Sequence, residues 1–263
     1  MKKILVLVIA ALALAAPRAQ AQDMFNHMAL GATLGVDGIG LDLAMPMGSK
    51  FQLRAGGAFD PFSISFNQEV SLGSFGSGGK TINLNNVPLT ASTLKAGSAH
   101  LMADFYPSKG GFHISAGVFF NIRDNGKLIS AKADLSKVLD KQNWGVGIGP
   151  EGGFTVSTDE AGQLMMDIKT WAVNPYVGIG FGRALNPEKT FNFVFDMGLM
   201  VLGASLHGYN YSKHIFDESK PVEDVLIKGD DVQSLNAQAA DLLNLLGVIP
   251  VPYIRFGFYF KLF

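Results

Sequence analysis

Residues 173–201 read VNPYVGIGFGRALNPEKTFNFVFDMGLMV. Val173, Pro175, Val177, Ile179 and Phe181 alternate with Asn174, Tyr176, Gly178, Gly180 and Gly182. After a short turn at Asn186–Thr190, Phe191, Phe193, Phe195, Met197, Leu199 and Val201 lie on one face, with Asn192, Asp196 and Gly198 on the other. Period two over such lengths is the pattern of β-strands. One face is bulky and apolar. The other is glycine, small polar or an isolated charge. A soluble sandwich would show an outward face rich in Lys, Glu and Thr. A glycine-rich second face with lone Asp, Arg and His suits the inside of a narrow barrel, where small residues relieve crowding and the few charges find partners. The apolar face would then meet lipid.

The same alternation runs outward in both directions. It covers Met28–Val36, Ile39–Met45, Phe51–Phe59, Ala99–Phe105, Phe112–Phe120 and Ile254–Leu262. With the two strands above, this makes eight segments near the ~9–11 residues that a tilted strand needs to cross a bilayer. The expected fold is all-β: an antiparallel, up-and-down transmembrane barrel of eight strands. The connections alternate in length. Pro46–Lys50, Pro107–Gly111 and Asn186–Thr190 are short, whereas about 60–97, 122–172 and 203–250 are long. Short turns on one side and long loops on the other is the outer-membrane pattern, with the short turns periplasmic. Asp37-Gly38 is a hairpin signal and would be the one short extracellular connection. Phe62–Val70, Asn143–Ile148, Phe154–Ser157 and Gln163–Thr170 either lengthen hairpins above the membrane or add strands, so ten or twelve strands stay open. Asp231–Leu246 reads as one short loop helix, with Leu235, Ala239, Leu242, Leu243 and Leu246 on one face. Asp230 or Asp231 can cap its start, and Gly247 and Pro250 stop it.

Residues 1–21 have the layout of a cleaved secretory signal. Lys2 and Lys3 precede an apolar run from Ile4 to Ala16, and Ala19-Gln20-Ala21 is a small-x-small site. The run is shorter than the ~20 residues of a spanning helix. The remaining 22–263 form one barrel domain. The chain has no cysteine, which excludes disulfides, thiolate metal sites and lipid attachment through an N-terminal Cys. Its formal net charge is -1, and no basic block suggests nucleic acid. Glycine is 31 of 263 residues, well above the usual ~7%, which fits a crowded lumen.

Three stretches carry a family resemblance: FYPSKGGFHISAGVFFN (105–121), NPYVGIGFGRAL (174–185) and FNFVFDMGLMVLGAS (191–205). They resemble a family of small, poorly characterised bacterial outer-membrane barrels, of the OmpA and OmpW kind in general character. The resemblance implies a β-barrel in the outer membrane. It transfers no catalytic residue and no ligand. The last strand resembles the signal read by the outer-membrane assembly machinery, an amphipathic strand ending in an aromatic residue. Phe263 is in place, but Phe258, Phe260 and Leu262 stand one step out of phase with it.

The inward charges are the candidate site: Asp42, Arg54, Asp104, His113, Asp196 and Arg255. Folding the strands symmetrically about their turns places Asp42 opposite Arg54, Asp104 opposite His113 and Tyr176 opposite Asp196. Such a network either satisfies itself or forms a solute-selecting constriction. His113 and Ser115 form an H-x-S pair that a serine-type lipid deacylase would need. They lie beside a short turn and point into the lumen, away from the outer leaflet. The glycines of GVGIG (145–149) lack the strand–helix context of a phosphate loop. The five histidines show no metal-ligand spacing. His207 and His214 read as solvated loop residues. The expectation is a non-enzymatic outer-membrane barrel without cofactor or metal, serving surface interaction, structural support or restricted passage of small solutes. Its partners would be outer-membrane lipid, lipopolysaccharide and the assembly machinery. An outer-membrane lipid-modifying enzyme and a soluble periplasmic β-sandwich or lipid carrier are the alternatives.

Overall fold

The computed structural model describes residues 27–70, 74–77, 80–83, 86–93, 97–122, 126–137, 156–228 and 247–263. The strands are β1 (Ala29–Gly35), β2 (Gly38–Pro46), β3 (Phe51–Phe59), β4 (Ser65–Val70), β5 (Ser74–Ser77), β6 (Lys80–Asn83), β7 (Val87–Thr93) and β8 (Gly97–Phe105). They continue with β9 (His113–Asn121), β10 (Lys127–Asp134), β11 (Gln163–Thr170), β12 (Val173–Gly182), β13 (Phe191–Leu202) and β14 (Ala204–Asn210). A short helix α1 (Ser212–Phe216) precedes β15 (Glu223–Ile227) and β16 (Ile249–Lys261).

Eight of these strands close into an antiparallel barrel in the order β1-β2-β3-β8-β9-β12-β13-β16, with β16 returning to β1. Closure runs over seven residue pairs, from Ala29↔Lys261 to Gly35↔Arg255. The two ends of the barrel chain meet at the short-turn end, where Met28 N–H donates to Phe263 C=O. The alternation is realised as read. Leu41 and Val177 are 62% and 56% exposed, while their neighbours Asp42 and Tyr176 are buried. The phenylalanine-rich faces of β13 and β16 point outward, opposite to what a soluble sandwich requires. Ring pairs such as Phe193–Phe258, with centroids 5.3 Å apart, pack along that outer surface. Glycine inside the barrel makes room for large polar side chains. A Cβ on Gly31 would stand 2.5 Å from the ring of Tyr259, its register partner on the neighbouring strand β16.

The long connections add a second sheet instead of enlarging the barrel. Its order is β4-β7-β10-β11-β14-β15. This repeats the barrel order β3-β8-β9-β12-β13-β16, because each extension strand continues the wall strand beside it in the chain. The Phe62–Val70 and Gln163–Thr170 segments are therefore hairpin extensions, and the barrel has eight strands. The hairpin β1–β2 turns at Val36–Asp37, one residue before the Asp37-Gly38 pair read from the sequence; Gly38, at φ 98, opens β2 opposite Gly35, and the hairpin carries no extension. The wall above the barrel is open on that side. The signal segment, Asn143–Ile148, the GVGIG glycines and the Asp231–Leu246 helix lie outside the described residues.

Polarity inverts between barrel and extension. Asn121, on the lumen face, donates to the Thr170 hydroxyl at 2.5 Å, so the face of β11 bearing Thr170 continues the lumen side. That face carries Leu164, Met166 and Ile168, paired with Ala133, Ala131 and Ile129. The opposite face is polar. Lys127 bonds Asp167 at 2.7 Å and Tyr209 also donates to Asp167. Burial pushes the Asp167 carboxyl up, but the bonds from Lys127 and Tyr209 outweigh it and hold it below the usual carboxylate range.

Candidate functional site: the ion-paired lumen

The lumen is filled in three layers. At the short-turn end, the segment after β12 folds inward and seats Ala184 and Leu185, both buried, against Ala29, Ala44, Val194 and Tyr259. Gln52 anchors it by donating to Leu185 C=O at 2.5 Å and accepting from Leu185 N–H at 3.3 Å. Tyr106 donates to the same Gln52 amide at 3.1 Å. Arg183 lies over the Tyr106 ring, 4.1 Å from its centroid.

The middle layer holds the charges. Arg54 donates to both oxygens of Asp196, at 2.6 and 2.8 Å, and to Asp104 at 2.7 Å. Ser115 donates to the same Asp104 oxygen at 2.7 Å. His113 Nε2 stands 3.0 Å from Asp196, and its Nδ1 is 3.1 Å from Gly111 C=O. Beside this cluster, Arg255 pairs with Asp42, which also accepts from Tyr259 at 2.7 Å. His100 Nε2 lies 3.0 Å from Asp42 and 2.8 Å from Arg255. The two clusters approach at 4.0 Å between Arg255 Nε and Asp196. All five charged side chains are essentially inaccessible to solvent. Buried charges are tolerated only when paired and hydrogen-bonded. Bidentate guanidinium–carboxylate contacts are the strongest arrangement available.

The layer toward the long loops is aromatic. Phe119, Tyr176 and Tyr253 pack with centroids 5.1 to 5.8 Å apart, closed off by Met102. Tyr253 donates to Asp37 at 2.9 Å, and Ser98 to the other Asp37 oxygen at 3.3 Å. The Val36–Asp37 turn is thereby tied to the aromatic layer.

All six charged or ionisable residues read as inward-facing are brought together here. Their partners differ from the sequence expectation. Asp42 stands opposite Gly56, and Arg54 opposite Ala44. Asp104 stands opposite Ser115, and Asp196 opposite Gly180. Tyr176 stands opposite Met200, four residues from Asp196, and the first turn shows how such a shift arises. At Met47–Lys50 the chain bonds Met47 N–H to Phe51 C=O with Gly48 at φ 83, which pairs the strands two residues away from the symmetric register. A two-residue shift keeps every face and changes every partner. Arg54 finds its carboxylates on β8 and across the barrel on β13. The sequence reading missed His100, Tyr259, Gln52 and the Ala184-Leu185 plug. His100 and Tyr259 share the inward alternation of Asp104 and Arg255, and that signal would have found them.

Asp104, His113 and Asp196 have ligand atoms within 4.8 Å of one another, a spacing that suits a metal ion. The Arg54 guanidinium already lies between the two carboxylates and supplies the cation. Ser115 and His113 are not paired with each other, since each bonds a different carboxylate. The H-x-S pair is part of the lumen network. Tyr106, Tyr176, Tyr253 and Tyr259 are all lumen residues.

No family model matches the chain, and no curated protein matches it. Two solved structures are similar to it: CarO and CarO2 of Acinetobacter baumannii, each at 15% identity, with TM-scores of 0.41 and 0.42. Each similarity covers 89% of this chain, and 96% and 98% of theirs.

Proposed function

We propose that the protein is an integral outer-membrane barrel with a closed lumen, whose role is to present the six-stranded wall at the cell surface for interaction or structural support. The carrying observation is the middle layer. Arg54, Asp104 and Asp196 have no accessible surface, and Arg255 and Asp42 have 1% each. A water-filled path through that layer would wet these groups. An eight-stranded barrel is just wide enough to be filled by its own side chains, and here they fill it. Outer-membrane placement is supported by the lipid-compatible outer face of all eight barrel strands and by the short-turn and long-loop ends. The polar outer face of the extension suits the water and headgroup region above that belt. Restricted passage of a small solute requires the Arg54 and Arg255 clusters to part, at the cost of unpaired buried charges.

The test is conductance of purified, refolded protein in a planar bilayer, with heat-modifiable gel migration as the check of folding. The expected result is a folded barrel with no discrete conductance steps. Reproducible steps from folded protein would overturn the closed lumen and favour the solute-passage reading.

A further inference from the structure

The row of side chains that meets lipid on β13 does not stop at the barrel rim. Phe193, Phe195, Met197, Leu199 and Val201 point outward, and the same row runs past Gly203 to Ser205 and His207 on β14. At ~3.3 Å per residue along a tilted strand, Ser205 stands within about 13 Å of Val201. Trp171 packs against Gly203 between them. Ser205 Oγ is 3.1 Å from His207 Nε2, and His207 Nδ1 is 2.6 Å from an oxygen of Asp224 on β15. The second Asp224 oxygen is held by Lys169. Ser205 Oγ also lies 3.4 Å from Lys169 C=O. Burial pushes the Asp224 carboxyl up, but the bonds from Lys169 and His207 win and keep it below the usual carboxylate range. His207 keeps 21% of its side chain accessible. The nucleophile–base–carboxylate order and distances are those of a serine hydrolase.

We infer that Ser205, His207 and Asp224 form a hydrolytic site on the outer face of the wall, directed at acyl esters of phosphate-bearing lipids in the outer leaflet. Ser205 Oγ attacks the ester carbonyl carbon while its proton passes to His207 Nε2. Asp224 holds the Nδ1–H tautomer and stabilises the imidazolium. The bond from carbonyl carbon to alkoxy oxygen breaks, and His207 returns the proton to the departing alcohol. Water then adds to the acyl-serine with His207 as base, releasing the fatty acid and restoring Ser205. The substrate class follows from place: the site lies just beyond the apolar row of β13, where acyl esters of phosphate-bearing lipids would meet it, and lysines paired with Asp167 and Asp224 border it. Lys127 and Lys169 stand opposite each other in register. Lys228 directly follows Ile227, the partner of Leu206. The placement of the ester relies on the outer-membrane reading, whereas the reactivity of Ser205 does not.

Refolded full-length protein is treated with a fluorophosphonate probe, and the labelled residue is mapped by mass spectrometry. In parallel it is incubated with phosphatidylethanolamine vesicles and, separately, with lipopolysaccharide, and released fatty acid is quantified. Label on Ser205 and fatty acid release from either lipid are expected, and the arm that reacts names the source. Ser205→Ala and His207→Ala should each lower release on the order of 10³-fold or more, with Asp224→Asn somewhat less damaging. His214→Ala, on α1, should leave it unchanged. Heat-modifiable migration establishes that each variant is folded. Folded wild-type protein that takes no label at Ser205, or that releases no fatty acid from either lipid, overturns the inference. So does an undiminished rate in folded Ser205→Ala.

Discussion

Arg54 grips both carboxylate oxygens of Asp196 across the lumen, joining strands whose residues lie 142 positions apart in the chain. β3 and β13 are not neighbours in the barrel wall. The contact therefore braces the cylinder across its interior and is independent of the hydrogen-bond ladder.

Removing that brace leaves Asp104 and Asp196 as buried carboxylates without their cation. Arg54→Met should destabilise the barrel by about 3–5 kcal/mol. The urea midpoint of the heat-modifiable gel shift in lipid vesicles measures it. A loss below about 1 kcal/mol would mean that the lumen charges are solvated.

Lumen glycines should differ sharply from glycines on the outer face. A Cβ on Gly180 would stand 2.3 Å from the His113 ring and 2.6 Å from Phe195 C=O, and backbone cannot yield cheaply. Gly57 faces outward, where the nearest atom would be 3.2 Å away. Gly180→Ala should cost about 1–3 kcal/mol and Gly57→Ala clearly less, read from the same unfolding curves.

Membrane depth can be tested with a single charge. Val177 lies midway along β12 on the apolar face. Val177→Arg should cost about 2–4 kcal/mol in vesicles, the penalty for a cation near the bilayer midplane. Thr90→Arg, at an exposed position on β7, should be close to neutral. Equal effects would remove the membrane belt from this part of the wall.

Acid should loosen the extension before the barrel. Asp167 and Asp224 are both held below the ordinary carboxylate range when folded. A depressed folded value contributes stability that is complete above the unfolded value of ~3.9 and is lost as pH falls through the folded values. Limited proteolysis of the extension should therefore accelerate below about pH 4 while gel migration still reports an intact barrel. Unchanged cleavage from pH 7 to pH 3 would contradict the role given to these carboxylates.

The wall was legible from alternation alone, because an outward apolar row and a lumen row obey the same period two in every barrel strand. Asp42, Arg54, Asp104, His113, Asp196 and Arg255 could be listed as lumen residues for the same reason. Their partners could not. Cross-strand pairing depends on turn geometry at residues such as Gly48. The contact from Arg54 to Asp196 spans non-adjacent strands, which no local pattern encodes. The Ser205, His207 and Asp224 arrangement stayed hidden for a related reason. His207 reads as a solvated residue of a long loop until β14 and β15 pair and bring Asp224 beside it.

The bond between Met28 N–H and Phe263 C=O sets the two ends of the barrel chain side by side at the closing seam. The order of the strands around the cylinder is thus independent of where the polypeptide starts. A circular permutant joined from Phe263 to His27 through a short linker and reopened at Asp37-Gly38 would keep every ladder of the wall. It would begin with β2 and end with β1. Only the strand that stands last in the chain would change, which separates the information for folding from the order in which the strands are made.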